Sequence, residues 1–439
     1  MAQVTPERAT GSDATGDATG DAASALPSGA PPRPPRRALL IAFITILLDL
    51  LGFGIIIPIQ PFYAELYGAS PTVVTLLGAS YSLMQFLFVP FWGRLSDRVG
   101  RRPVVLVSVG IGGVGYLLFG LAGSLPLLFA ARMLSGFGNA NIATAQAIIA
   151  DVTGPEDRAR GMGLIGAAFG LGFIFGPALG GFLGQFGLAV PAFGAALLAV
   201  GNFVFAAWLL PETNPAERRR AAGQQLSRME ALRRAAASPQ VLLIIALTLI
   251  ATTGFALMEQ AIGLFIARVW VPGTQLATDP VEAAQLLQRA AALTSWVLVV
   301  IGITAAIVQG GMIGPLSRRY GERRLVLWGL VLLTFGMLGI AWSGHAGLYP
   351  GLFVVAVLIA SGTGLMTPSL NSLLSRQSPP DDQGGILGLG QSASALGRVA
   401  GPAASGVLFE ASIYLPFLAA AAFMVLTFSI ATALRQPQP

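Results

Sequence analysis

Three ionisable side chains stand inside long apolar runs: Asp49 in "ITILLDLLGFGIII", Arg132 in "LPLLFAARMLSGFG" and Glu259 in "TTGFALMEQAIGLF". If such runs cross a bilayer, each charge is costly at that depth and marks a functional-site candidate. A carboxyl that is charged when it faces one side and neutral for the return has the chemistry of a proton carrier. An arginine at a similar depth can pair with it or meet a substrate. Other roles stay open: Arg132 as an anchor bonded to backbone carbonyls, Asp49 as a hydrogen-bonding group within its own bundle.

The runs are long enough. Of 439 residues 54% are hydrophobic and only 10% charged, where a soluble chain of this length carries about a quarter charged. Apolar stretches of roughly 20 residues, enough to cross a core about 30 Å thick, fall near 38–59, 73–92, 103–121, 126–150, 161–184, 191–210, 241–266, 291–312, 325–343, 350–374, 385–409 and 413–434. The expected fold is all-α and integral to the membrane, with twelve spans in two six-helix bundles. The bundles are expected at 38–210 and 241–434, joined by a cytoplasmic linker over 211–240, with a disordered cytoplasmic tail at 1–37 and a short one at 435–439. A surface helix is expected near 224–236, and a separate short helix in "DPVEAAQLLQR" outside the membrane.

Charge sets the orientation. There is no lysine, and the arginines crowd alternate gaps: Arg94, Arg98, Arg101 and Arg102; Arg158 and Arg160; six in 211–240; Arg318, Arg319, Arg323 and Arg324; Arg376. By the positive-inside rule these gaps and both termini are cytoplasmic. On this orientation Asp49 lies about 16 Å from the inner face and Arg132 about 9 Å from the outer one at 1.5 Å per residue, close enough in depth for a pair between spans one and four. The net charge of +6 is explained by topology and not by nucleic acid. With no cysteine there is no disulfide or thiolate metal site, and no metal is expected.

The chain echoes itself. Gly93 and Gly314 begin "GRLSDRVGRR" and "GPLSRRYGERR", 221 residues apart; "GPALGG" around Pro177 returns as "GPAASG" around Pro402, offset 225; Asp151 and Arg376 open a third pair, also offset 225. Parallel repeats of this kind are a transporter architecture with substrate near the midplane between the halves. In the second copy Arg318 stands for Asp97 and Arg376 for Asp151, so both signs are reversed. Two sets of opposite charge could latch where the halves meet. We therefore expect a cytoplasmic gate of Gly93, Asp97, Arg98, Gly100, Arg101, Asp151, Arg318 and Arg376. Gly172, Gly176, Gly180 and Gly181 form a stripe without side chains, where a helix can approach closely, and Pro177 removes a backbone donor there.

In this order and at these spans the motifs resemble the major facilitator superfamily. "GRLSDRVGRR" resembles its loop signature between spans two and three, and "RMLSG" its span-four Arg-x-x-x-Gly. "GFIFGPALGG" resembles the span-five signature of its antiporters, and "LLDLLGFGIIIPIQP" the first span of the drug–proton antiporters that include the tetracycline exporters. The resemblance implies proton-coupled efflux of amphipathic or aromatic small molecules, with the proton gradient as energy source and no cofactor. It also implies a hinge and leak-limiting seal at the Pro177 stripe, and proton-coupling or substrate roles for Asp49, Arg132 and Glu259. Acids and a histidine that those exporters carry in spans three, eight and nine have no counterpart here. Gln85, Asn139, Asn141, Gln146, Asn202, Gln260, Gln309, Asn371 and Gln391 are candidates to line the cavity, with Phe53, Phe173, Phe255 and Trp296 for apolar contact, and Arg398 to partner Glu259. The rivals are a proton-coupled or passive importer of a metabolite and a non-transporting sensor or scaffold. No phosphate loop or nucleotide domain is present, so ATP is not the expected driver, and the arginine-rich, lysine-free composition points to a bacterial inner membrane. A monomer is expected.

Overall fold

Apolar side chains on a helix satisfy the membrane while the backbone satisfies itself, and the chain takes that solution throughout. The computed structural model describes residues 36–153, 158–215, 238–274, 279–378 and 383–434, and among these all regular structure is helical. The expected disorder of the tails and the helix near 224–236 lie outside the described residues.

The first half runs α1 (Arg36–Ile56), α2 (Gln60–Leu66), α3 (Pro71–Val99), α4 (Arg101–Gly120), α5 (Leu125–Gly138), α6 (Ile142–Val152), α7 (Arg158–Gly184) and α8 (Val190–Leu209). The second runs α9 (Pro239–Trp270), α10 (Pro280–Ile307), a π-helical turn (Val308–Met312), α11 (Ile313–Tyr320), α12 (Glu322–His345), α13 (Gly351–Arg376), α14 (Gln383–Ala411) and α15 (Leu415–Ala431). Eight segments are long and apolar enough to cross a membrane by length and composition. The other four expected spans are α5 with α6, then α7, α14 and α15; α15 has only 17 residues.

Three departures from the sequence expectation have local causes. The charged stretch after span two is mostly helix, because α3 continues to Val99 and only Gly100 turns, at φ 117°. Span four is broken over Asn139–Asn141, where Gly138 has packed onto the backbone of Gly112 on α4. "DPVEAAQLLQR" is no separate helix but the start of α10: Asp279 caps it, accepting from the amides of Val281 (3.3 Å) and Glu282 (3.4 Å), and Pro280 takes the first position. Ser70–Pro71 and Ser238–Pro239 start α3 and α9 by the same device, which combines a side-chain acceptor with a residue that has no amide to satisfy.

The halves meet at the arginine-poor end, the outer end by the charge rule. One apolar cluster runs through both, from Ile56, Ile59 and Phe62 to Phe265 and Phe417. At the arginine-rich end, Gly310, Gly311, Gly314 and Gly388 have open space where a Cβ would stand. The recorded polar contacts between the halves, Thr72 with Glu410 and Arg268 with Glu65, lie at that outer end.

The glycine stripe of α7 does its packing on two sides. A Cβ on Gly176 would lie 2.6 Å from Gly54 Cα on α1, one on Gly54 would lie 2.6 Å from the Gly172 carbonyl, and one on Gly180 3.1 Å from Pro58. Gly181 instead faces α10, 2.5 Å from Ser295 Cβ on the same measure, so α7 joins its own half to the other. The helix runs unbroken through Pro177. Overpacking a filled site costs about 1–3 kcal/mol, occasionally more. Gly176→Val is therefore expected to lower the thermal unfolding temperature in detergent by several degrees, while Gly388→Val, in open space, leaves it near wild type. Equal effects at the two sites would contradict the bare-backbone seam.

Candidate functional site

The membrane interior of the first half holds one connected polar group. Asp49 on α1 is half-buried beside the Asn141 side chain. Tyr81 on α3 lies within electrostatic range of Asp49, of Arg132 and of Arg398 from the second half. Arg132 on α5 is buried, with its guanidinium 4.4 Å from the centre of the Tyr81 ring. Phe53 stacks on the same tyrosine at 5.1 Å and 23°. Gln85 donates to the Tyr81 hydroxyl (3.1 Å) and to the Asn139 carbonyl (3.2 Å), and the Asn139 amide donates to the Tyr116 hydroxyl at 2.5 Å.

The expected Asp49–Arg132 pair is not made. The ring of Tyr81 takes the cation, and Asn141 stands beside the acid. Arg132 Nε and Nη1 are buried without a hydrogen-bond partner among the described residues, as is Asn139 Oδ1. Buried polar atoms without partners are rare and need an explanation; the two guanidinium donors could serve a polar ligand.

Glu259 on α9 is half-buried and within electrostatic range of Arg398 on α14, the partner expected from sequence. The two central acids therefore stand in opposite halves. Several candidate lining residues lie elsewhere. Asn139 is buried within the first half, and Asn141 is buried and donates to Ser108 (3.0 Å). Asn202 is buried and donates to the Thr45 carbonyl (3.0 Å). Gln260 crosses to the first half instead of lining open space: a Cβ on Gly78 would meet its Cδ at 2.8 Å and Gln60 Nε2 at 3.2 Å. Gln146 and Phe255 are half-buried, and Asn371 and Gln391 exposed. Gln309 is half-buried within the π-helical turn, an element often found at functional sites. Trp296 is exposed, and the Phe173 side chain lies outside the described set.

At the arginine-rich end, the cytoplasmic one by the charge rule, the charges form a tighter structure than their sequence suggests. Arg101 holds Asp97 at 2.5 Å and Asp151 at 3.1 Å and donates to Ser96 at 2.7 Å. Glu212, just past α8, accepts from the amides of Arg101 (2.9 Å) and Arg102 (3.2 Å), placing an anion at the N-terminus of α4 where the helix dipole favours it. Thr213 donates to Asp151 and Asn214 to the Asp97 carbonyl. Gly100 has no room for a side chain: a Cβ would lie 2.5 Å from Glu212 Oε2. Gly93 and Arg98 border this cluster on α3, Arg98 on its exposed side.

The second half repeats the arrangement with the signs exchanged. Gly321 turns at φ 77°, as Gly100 does at 117°. Glu322, first in α12, pairs with Arg376 at the end of α13 (3.3 Å), as Arg101, first in α4, pairs with Asp151. The reversed sign at Arg376 is thus balanced inside its own half. Arg318, the counterpart of Asp97, is exposed and holds no ion pair among the described residues.

Comparison with known proteins fits this doubled architecture. Residues 42–271 and 276–439 match the Major Facilitator Superfamily profile. The class C tetracycline resistance protein of Escherichia coli is 32% identical over 380 residues, 85% of this chain and 90% of that one. The chain belongs to the Major Facilitator Superfamily. It is a multi-pass membrane transporter of small molecules and not an enzyme. Multidrug resistance protein 2 of Bacillus subtilis strain 168 is 28% identical over 85% of this chain and 89% of its own. Among solved structures the human organic anion transporter MFSD10 (TETRAN) superposes with a TM-score of 0.66 at 26% identity, covering 91% of this chain and all of that one.

For this facilitator, sequence inspection missed Glu212, Thr213, Asn214 and Glu322. The available signal was "LPETNP" directly after an apolar run and Glu322 offset 221 from Arg101. Glu212→Ala is expected to lower stability by about 1 kcal/mol, within the range of a lost helix cap, read as a fall in detergent unfolding temperature. Glu282→Ala, an exposed first-turn acid of α10, should lose less. A larger loss at Glu282 would sink the capping role.

Proposed function

We propose that this facilitator is a proton-coupled exporter of amphipathic or aromatic small molecules, working by alternating access in a bacterial inner membrane with both termini cytoplasmic. The observation that carries the reading is the placement of Asp49 and Glu259. They are two half-buried acids, one on each half, each beside a polar or cationic group able to modulate its charge. The likeness to tetracycline and multidrug resistance proteins supports export. So does the glycine seam of α7, which joins α1 to α10 and can seal the moving interface.

In this scheme protons released into the cytoplasm leave both acids charged and the cleft ready for substrate. Rocking of the halves carries the substrate outward, and reprotonation from outside neutralises the acids for the return. Closure of the cytoplasmic face brings exposed Arg318 toward Asp97, which is only partly covered by Arg101. The seat of Arg132 under Tyr81 supports a second reading, in which an organic anion is the substrate. That is the class named for the human relative, and the unpartnered guanidinium donors would then meet its carboxylate.

Liposomes with an internal pH dye test both. Under the first reading, amphipathic substrates drive proton movement, and Glu259→Gln and Asp49→Asn each reduce it by about a hundredfold or more, the order expected for a lost proton-transfer group. Unchanged flux in both variants would remove the acids from coupling. Flux carried only by carboxylate compounds and lost in Arg132→Gln would favour the anion reading. The latch has its own check: Asp97→Asn should shift the protein further toward cytoplasmic opening, seen as faster labelling of a cysteine placed in the cleft. Wild-type labelling and transport in that variant would end the latch.

A further inference from the structure

The outer closure is made by two different polar contacts at separate places on the interface. On one, Glu65 of α2 and Arg268 at the end of α9 form an ion pair between the halves, with side chains only 8% and 13% exposed. Arg268 also donates to Thr274 (3.3 Å), and Glu65 Oε2 is buried with no hydrogen-bond partner among the described residues. On the other, Glu410 near the end of α14 accepts from the Thr72 amide (3.1 Å) at the N-terminus of α3. Beneath it Gly406 leaves room for the α3 backbone: a Cβ there would lie 2.8 Å from the Pro71 carbonyl. The first contact is buried, the second exposed to solvent.

We propose that Glu65–Arg268 is the outer lock of this transporter and sets the balance between inward and outward opening, with the Glu410 cap as a weaker, salt-sensitive trim. The reason is the difference in surroundings. Removing one partner of a buried pair strands the other charge in a poor dielectric and is strongly unfavourable. A solvated carboxylate on a helix end is screened and contributes little. For the halves to part on the outer side, both contacts must break, and only the first resists strongly once made. The inference needs alternating access but not any particular substrate or coupling ion.

The protein contains no cysteine, so introduced pairs report without a background. Spin labels at Gly123→Cys and Ala346→Cys, exposed at the outer end of each half, read outer opening; labels at Val99→Cys and Arg319→Cys read the cytoplasmic end. In liposomes, Glu65→Gln and Arg268→Gln are each expected to raise the outer-open to outer-closed ratio at least about tenfold, as one stranded buried charge implies. The cytoplasmic distance should shorten in step. Glu410→Gln should raise the ratio only about twofold, the scale of an exposed helix-end charge, and high salt should mimic it. The double reversal Glu65→Arg with Arg268→Glu should return the closed distribution. Reciprocal movement of the two label pairs separates gating from unfolding, which broadens both. Wild-type distances in both single variants, a larger effect at Glu410, or a double reversal that stays open would each overturn the lock. Because distances are read without transport, a failure of proton coupling in the flux assay is a separate result.

Discussion

The hydrocarbon core offers no water, so every charge inside it must be paired, solvated by protein or kept for use, and the placement of charge in this protein follows from that constraint. Asp49, Arg132, Glu259 and Arg398 are concentrated near the cleft. The surroundings differ in kind: an amide for Asp49, an aromatic face for Arg132, an arginine across two helices for Glu259. An arginine held by a ring face keeps its charge without consuming a carboxylate. Tyr81 thereby leaves Asp49 without a recorded ion pair, as the proposed proton coupling requires.

The same constraint acts differently at the two ends. The arginine-rich end, facing water, carries dense networks, but each recorded pair stays within one half: Arg101 with Asp97 and Asp151, and Glu322 with Arg376. The outer end has few charges, and three of them, Glu65, Arg268 and Glu410, make contacts across the halves. Exchange of sign between the repeats keeps the Arg101–Asp151 pair as Glu322–Arg376. Among the described residues it leaves Arg318 without the partner that Asp97 has, so that Arg318 and Asp97 carry opposite charge on the two halves. A duplicated bundle can thus keep its own stability and still be attracted to its twin.

Much of this was legible in the sequence because it rests on local composition. Twelve apolar runs, the alternation of arginines, the repeat near 221–225 residues and the Gly172–Gly181 stripe are all short-range or periodic signals. Contacts made over long sequence separations were not legible. Glu212 caps a helix more than a hundred residues earlier, Glu65 meets Arg268 two hundred residues on, and Gln260 leaves the cleft to cover Gly78. The Asp49–Arg132 expectation failed for a related reason. Depth along the membrane says nothing about the ring of Tyr81, whose position depends on how α3 is rotated against α1 and α5.

The central claim is that movement of substrate and movement of protons are tied through Asp49 and Glu259. The most direct measurement imposes only a pH gradient on substrate-equilibrated liposomes and follows substrate. The account predicts uphill movement of substrate toward the acidic side, abolished when the pH gradient is collapsed and absent in the Asp49→Asn, Glu259→Gln double variant. Substrate that stays at equilibrium under the gradient, or moves equally well in the double variant, would contradict it.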